Sequence, residues 1–149
     1  MEQNSAYKKL EARFRQIALY SEVASVLHWD AATMMPSEGA FPRGEQLSEL
    51  RVLGHRALTD QVMEDLFAAA EQEHLESWQR ANLREMRRDH RFATALPDDL
   101  VAAISDATST CEHIWRDARA KSDFAVVSDK LSIVVNLIQE SAQAYGEAL

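Results

Sequence analysis

Apolar residues recur at intervals of three and four along almost the entire chain, and this periodicity constrains the fold more than any other feature. The interval matches the 3.6-residue turn of an α-helix, so each run places its apolar side chains on one helical face. Glycine and proline, which interrupt helices, number only four and three in 149 residues. The alternating β-branched runs typical of strands do not occur. The sequence therefore predicts an all-α fold with five or six helices.

The first two helices are separated by a proline-containing corner. The first helix is predicted to end between Trp29 and Thr33, because Pro36 disfavours helical backbone in the residue before it. Pro42 then suits the first turn of the second helix. The apolar face of the first helix consists of Tyr7, Leu10, Phe14, Ile17, Tyr20, Ala24 and Leu27, and that of the second consists of Leu47, Leu50, Leu53 and Ala57.

Capping residues predict where the later helices begin. Thr59 is a suitable N-cap for a short third helix, and Ser128 is one for the last helix. Pro97 starts a further helix with Asp98 and Asp99 in its first turn, where carboxylates interact favourably with the helix dipole. The apolar face of the third helix consists of Met63, Leu66, Phe67 and Ala70, and that of the fourth consists of Leu75, Trp78, Asn82, Met86, His90 and Ala93. The face of the fifth helix consists of Leu100, Ile104, Ala107, Cys111, Ile114 and Ala118, and that of the last consists of Leu131, Val134, Ile138, Ala142, Tyr145 and Leu149.

Length and composition indicate a single soluble domain comprising residues 1–149. Hydrophobic residues make up 46% and charged residues 27%, as in ordinary globular proteins. The net charge of -8 argues against nucleic acid as a partner. No apolar run approaches the roughly 18 residues of a membrane span, and the N-terminus lacks the apolar core of a secretory signal. The single cysteine, Cys111, is predicted to pack in the core and suits a reducing cytoplasm.

No catalytic or metal-binding pattern is complete in this sequence. The zinc-peptidase motif H-E-x-x-H is absent, because no two histidines are four residues apart. His28 and Asp30 do not share a helical face, so a hydrogen bond at the helix end is predicted for them rather than metal binding. Glu71 and His74 form one Glu-x-x-His unit, whereas a di-iron bundle needs two. We therefore predict no catalytic residue, metal ligand or bound cofactor in this chain.

A cluster of basic residues lies on the predicted fourth helix. Acidic residues within one helical turn favour a solvated, salt-bridged face over an anion-binding site. The basic residues are Arg80, Arg84, Arg87, Arg88 and Arg91, and the acidic ones are Glu76, Glu85 and Asp89. The pairs spaced four residues apart, with the acid first, are predicted to support their helices; they are Glu76–Arg80, Glu112–Arg116 and Asp117–Lys121.

Two blocks of residues carry a family resemblance. The first block reads Trp29-Asp30, Met35-Pro36, Gly39, Arg43, Gln46-Leu47, Leu50 and His55, and the second reads Pro97, Leu100, Trp115, Ala118-Arg119, Asp123-Phe124 and Leu131. In this order and spacing they resemble the N-terminal region of the carboxypeptidase Taq family, the thermostable carboxypeptidase 1 type of zinc metallocarboxypeptidase. Val127 and Asp129 depart from the Phe and Pro expected there, which affects only a helix start.

The resemblance implies a helical, cytoplasmic, homodimeric enzyme that removes C-terminal residues from peptides with broad specificity. In that family zinc or another divalent metal is held by the two histidines of H-E-x-x-H and a downstream glutamate. Those residues belong to a part of the family beyond position 149, so no position here inherits a catalytic or metal-binding role. The N-terminal helices would resemble a lid over one side of the substrate cleft, and their partner would be the remainder of the peptidase.

Within such a lid, the corner between the first two helices would have structural roles. Trp29 and Met35 would anchor it by burial, and Asp30 or Thr33 would cap a backbone end. Arg43 would pair with an acidic neighbour or contact a peptide substrate. Pairing is favoured, since a lone arginine after a proline turn usually braces its own fold.

Two functions remain open from the sequence. One is an inactive N-terminal part of a metallocarboxypeptidase, and the other is a free-standing helical interaction module without catalysis. The apolar periodicity of the last helix continues to Leu149, and no glycine, proline or basic last turn signals a helix end there. We therefore expect that the last turn frays or that the natural protein continues. A third possibility, a di-metal helical bundle, is supported only by Glu71 and His74.

Overall fold

The fold consists of long helices joined by short turns. The computed structural model describes the backbone of residues 5–148 and the side chains of residues 5–146. Over that part of the chain the structure has six α-helices and no strand, which confirms the predicted all-α class. The helices are α1 (Ala6–Thr33), α2 (Ala40–Thr59), α3 (Val62–Ala70), α4 (Ser77–Thr94), α5 (Asp98–Lys121) and α6 (Ala125–Ala148). Leu149, the last residue of the predicted apolar face, lies outside the described residues.

Helix α2 lies at the centre of the arrangement. It packs against α1, α4 and α5, while α3 packs against α1 and α4. Helix α6 packs along α5. The chain reverses direction between α1 and α2 through Pro36 and a short 3-10 turn (Ser37–Gly39). The proline-containing corner predicted from the sequence therefore brings the two longest N-terminal helices side by side.

The larger of two apolar cores lies where α1, α3 and α4 meet. Tyr7 and Phe67 are among its fully buried side chains. Asn82 Nδ2 donates a hydrogen bond to Tyr7 Oη at 2.9 Å, which explains a polar residue on the predicted apolar face of α4. The buried members are Ala6, Tyr7, Leu10, Met63, Phe67, Ala70, Leu75, Leu83 and Met86. The smaller core joins α5 to α6 through Cys111, Ala118 and Val127, so Cys111 is a core residue as predicted.

The start of α1 is capped from a distant part of the sequence. The Ser5 hydroxyl accepts a hydrogen bond from the Lys8 backbone N–H at 3.1 Å, as an ordinary N-cap does. The Glu73 carboxylate, from the turn between α3 and α4, also accepts one from the Ala6 N–H at 2.6 Å. Because these residues are 67 positions apart, local sequence patterns gave no signal of the second cap.

Two of the predicted N-caps are wrong. Thr59 is the last residue of α2, and its hydroxyl donates to a carbonyl one turn earlier in that helix. The Asp60 carboxylate instead accepts a hydrogen bond from the Val62 N–H at 3.1 Å. Helix α6 begins at Ala125, so Ser128 lies inside its first turn. Threonine, serine and aspartate are all good caps, and their neighbours in the sequence do not decide between them.

Asp98, in the first turn of α5 as predicted, connects that helix to α2. Its carboxylate accepts a hydrogen bond from Arg56 Nε and lies 3.4 Å from His55 Nε2. The hydrogen bond and charge of Asp98 raise the pKa of Arg56 above its ordinary value. A raised folded-state pKa contributes stability that is lost only as the pH rises through that value. We therefore expect no pH dependence from Arg56 near neutral pH.

Candidate functional site

The corner between α1 and α2 is held by Arg43. Arg43 Nη1 lies 2.7 Å from Asp30 Oδ2 and donates to the Leu27 carbonyl at 2.7 Å. Its Nε donates to Gln46 Oε1 at 3.0 Å. The predicted pairing of Arg43 with an acidic neighbour is therefore present. The guanidinium is directed at groups of its own fold.

A second arginine reaches the same corner from α5. Arg116 Nη1 donates to the Ala31 carbonyl at 2.6 Å, and its Nη2 donates to Glu112 Oε1 at 2.6 Å. The last carbonyls of a helix have no partner within it, and the last turn of α1 contains no basic residue of its own. Arg43 and Arg116 thus supply, from two other helices, the positive charge that the C-terminal end of a helix favours.

The sequence signalled only part of this arrangement. The predicted Glu112–Arg116 pair is present, but nothing in its spacing indicated that Arg116 also caps α1. The predicted anchoring by Trp29 is wrong, because this side chain is 62% exposed. Met35 is half-buried and lies against Gly39, where an added Cβ would come within 2.9 Å of Met35 Cγ. At this turn the Met35 side chain packs closely on Gly39, whereas Trp29 is not buried.

The cavity enclosed behind the corner is too small for a substrate. The cavity between α1, α2 and α5 has a volume of about 40 Å³, which is about the size of one water molecule. His28 and His113 line it together with Arg43 and Arg116. Both arginines are already hydrogen-bonded to carbonyls of α1. The two arginines therefore brace the end of α1.

We expect substitution of Arg43 by methionine to lower the free energy of unfolding by about 2 kcal/mol, because Asp30 and the Leu27 carbonyl lose a charged donor. Asp30→Asn is the matched variant, since it keeps the bond from Arg43 to the Leu27 carbonyl, and we expect it to lose about half as much. Urea unfolding followed by circular dichroism measures both values. Equal losses would contradict a separate contribution from the bond to the Leu27 carbonyl.

A much larger groove lies between α3 and α4. It has a volume of about 800 Å³, and its walls carry charges of both signs. On the α3 side Glu64 and Glu71 form ion pairs with Arg87. On the α4 side Arg84 and Arg88 pair with Glu85 of their own helix at 3.7 and 2.8 Å. The predicted salt-bridged face is therefore present, and it forms one wall of a groove.

His90 closes the inner end of the same region. It is buried at 3% exposure, and its Nδ1 lies 2.7 Å from the Leu58 carbonyl, to which it donates a hydrogen bond. Its Nε2 lies 3.0 Å from Glu64 Oε1, and its ring packs on Phe67 at a centroid distance of 5.3 Å. His90 thus connects α2, α3 and α4. The apolar pattern placed it on an inner face but did not indicate its partners.

The described residues offer no cluster for a metal ion. Over residues 5–146, no three histidine, cysteine, aspartate or glutamate side chains are grouped as metal ligands would be. Glu71 is paired with Arg87, and His74 is exposed. The described side chains therefore do not fit the zinc that the family resemblance implies. The prediction that this chain binds no metal remains a prediction.

Apolar side chains remain exposed on the outer faces of two helices. Leu19, Val23 and Val26 are exposed along one side of α1. Helix α6 exposes Leu131, Val135 and Ile138 beside the face that contacts α5, so the prediction that Leu131 and Ile138 lie on the packed face is wrong. No helix among residues 5–148 has the length and apolar character needed to cross a membrane. Contiguous exposed apolar surface of this kind marks contact sites for other protein segments.

The chain matches carboxypeptidases over nearly its whole length. The sequence profile of the Carboxypeptidase Taq (M32) metallopeptidase family matches residues 9–149. Thermostable carboxypeptidase 1 of Pyrococcus furiosus is 32% identical over 145 residues, which cover 97% of this chain and 29% of that protein. Thermostable carboxypeptidase 1 of Thermus thermophilus is 29% identical over 147 residues, which cover 96% and 29%.

The fold is similar as well. The solved structure of Pyrococcus furiosus carboxypeptidase matches with a TM-score of 0.72 and 31% identity, over 95% of this chain and 29% of that chain. The chain thus spans less than a third of the length of these relatives. The matched residues include both sequence blocks that resemble the family and the corner that Arg43 and Arg116 brace. The chain belongs to the carboxypeptidase Taq (M32) family of metallopeptidases.

Proposed function

We propose that this chain forms the N-terminal helical part of a metal-dependent carboxypeptidase that removes C-terminal residues from peptides. The observation that carries the proposal is the family match over residues 9–149, which corresponds to 29% of the Pyrococcus furiosus relative. In this proposal the catalytic residues belong to the remainder of the peptidase, so the 149-residue chain alone is inactive. Zinc or another divalent metal would be the cofactor of the complete enzyme.

The exposed apolar faces support a role as a covering element. Leu19, Val23 and Val26 are spaced four and three residues apart, which places them in one stripe along α1. Burying such a stripe against the remainder of the peptidase would remove its apolar area from water, a favourable change of about 25 cal/mol per Å². We propose that the stripes on α1 and α6 contact the catalytic part and that the six helices cover one side of its substrate cleft.

Cytoplasmic location and homodimerisation belong to the same proposal. A reducing compartment is compatible with Cys111, a buried free thiol that packs as an apolar residue. The subunit contact of a homodimer would be formed by the complete enzyme.

The first test is to determine the reading frame that follows the codon for Leu149. We expect it to continue and to encode H-E-x-x-H with a downstream glutamate. The purified 149-residue chain should then release no amino acid from N-blocked peptides, whereas the complete protein should do so when supplied with a divalent metal. A stop codon directly after Leu149 would favour the free-standing interaction module instead, and turnover by the short chain would contradict its proposed inactivity.

The second test asks whether the stripe on α1 mediates docking. We expect Val23→Glu with Val26→Glu to weaken association with the separately expressed downstream part by at least about 50-fold, because two charges would be buried at the interface. Ala18→Glu with Ser25→Glu adds the same charge at exposed positions of α1 outside the stripe and is the matched control. Association is measured by isothermal titration calorimetry. Equal affinity of both double variants would exclude this face, and self-association blocked by the stripe variant would assign it to a second copy.

A further inference from the structure

The groove between α3 and α4 differs in charge from the chain as a whole. The chain has 24 acidic and 16 basic residues, yet five arginines and only three glutamates line this groove. A concave surface with an excess of one sign concentrates its electric field and attracts ligands of the other sign. The lining charges are Arg80, Arg84, Arg87, Arg88 and Arg91 against Glu64, Glu71 and Glu73.

The three glutamates are engaged within the fold. Glu64 lies 3.0 Å from His90 Nε2 and 3.2 Å from Arg87 Nη2. Glu71 pairs with the other terminal nitrogen of the same arginine. Glu73 accepts hydrogen bonds from the first N–H groups of α1. The acidic wall therefore has its partners inside the domain, whereas Arg84 and Arg88 pair with acidic residues of their own helix.

Arg84 and Arg88 are the accessible cations of this wall. Their side chains are 74% and 61% exposed. Their partners, Glu85 and Asp89, lie on the same helix, and exposed pairs of this kind are weak. A guanidinium presents five N–H donors, so each arginine retains donors for a further carboxylate.

The dimensions fit a short extended peptide. From Arg80 to Arg91 the helix rises about 16 Å, which equals the length of about five residues of extended chain. The groove volume of about 800 Å³ lies within the range of ligand-binding clefts. Leu83 and Phe92 contribute apolar surface to its lining. Arg84 and Arg88 are about 6 Å apart along the helix axis, close to the spacing of alternate residues in an extended chain, so carboxylates at alternate positions can reach both arginines.

We infer that this groove binds a short extended acidic segment of a partner protein, with carboxylates at alternate positions of the segment on Arg84 and Arg88. This inference goes beyond the proposed function and does not depend on it. The docking test above concerns α1, whereas the groove involves α3 and α4. Failure of one proposal would therefore leave the other unaffected.

The test uses the full 149-residue chain and a fluorescein-labelled hexapeptide that alternates glutamate with leucine. We expect fluorescence anisotropy to show binding that weakens with added salt. Arg84→Gln with Arg88→Gln should raise Kd about tenfold, since two exposed charge contacts are lost. Arg15→Gln with Lys130→Gln removes the same charge from exposed positions outside the groove and should change Kd less than about twofold. Arg84→Lys with Arg88→Lys should give an intermediate Kd, because the charge stays and the planar fork is lost.

Four outcomes would overturn the inference. They are the absence of binding at a peptide concentration of about 1 mM, equal binding of a lysine–leucine hexapeptide, equal binding of a single-stranded oligonucleotide, and equal Kd values for the groove variant and its control. The far-ultraviolet circular dichroism of every variant should match that of the parent chain, because all substituted side chains are exposed.

Discussion

Replacing Phe67 by alanine is expected to lower the free energy of unfolding by about 4 kcal/mol, a large fraction of the stability of a domain of this size. Phe67 is fully buried in the core between α1, α3 and α4. One side of its ring packs on His90, and the Arg87 guanidinium lies 5.5 Å from its centroid. The substitution removes the apolar contacts and leaves a cavity that three helices cannot easily close.

Urea unfolding monitored by circular dichroism measures this loss. An unchanged slope of the unfolding free energy against urea concentration would show that the unfolded state is the same. Phe124→Ala is the matched control, because this phenylalanine is 66% exposed in the turn before α6 and its loss should cost less than about 0.5 kcal/mol. A loss below about 1.5 kcal/mol for Phe67→Ala would contradict its central position in the core.

The apolar periodicity predicted the helices and most of the core because burial follows helical phase. Phe67, Cys111 and Ala118 are buried as their spacing indicated. The same argument failed for Trp78, which lies on the predicted face but is exposed, while Leu83 takes a buried position. Phase gives the direction of a side chain from its own helix, but it does not say how far the neighbouring helix extends. Near a helix end, that neighbour can be missing.

The polar contacts were far less predictable, because their partners are distant in the sequence. Arg43 and Asp30 lie within one corner, and their pairing follows from the proline turn between them. The contact of Arg116 with the Ala31 carbonyl spans 85 residues, and no local rule indicates it. Local backbone groups compete as well: in place of the predicted Glu76–Arg80 pair, Glu76 caps α4 and Arg80 donates to the Leu75 carbonyl. Packing of the helices decides which polar groups meet.

Arginines connect helices in both the corner and the groove. In the corner, Arg116 donates to the Ala31 carbonyl near the end of α1, and Arg43 donates to the Leu27 carbonyl further inside that helix. In the groove, Arg87 pairs with two glutamates of the α3 side. Arg84 and Arg88 are exposed and pair with acidic residues of their own helix. What distinguishes the arginines of the corner from Arg84 and Arg88 is that they donate to another helix. This criterion separates the structural brace from the proposed binding surface.

His90→Ala is expected to lower the free energy of unfolding by about 3 kcal/mol. The ring is buried, and its removal leaves the Leu58 carbonyl without its side-chain donor near the end of α2. An unsatisfied buried acceptor costs about 1–3 kcal/mol, and the lost packing on Phe67 adds to that cost. The same urea experiment that tests Phe67 measures this loss.

His90→Asn separates the hydrogen bond from the packing. Its amide can donate to the Leu58 carbonyl in place of Nδ1, so we expect a loss of about half that of the alanine variant. His28→Ala is the control, because His28 is exposed and its loss should change stability by less than about 0.5 kcal/mol. Equal losses for the asparagine and alanine variants would assign the whole effect to packing. An alanine variant within about 1 kcal/mol of the parent would show that α2, α3 and α4 do not depend on His90 for their connection.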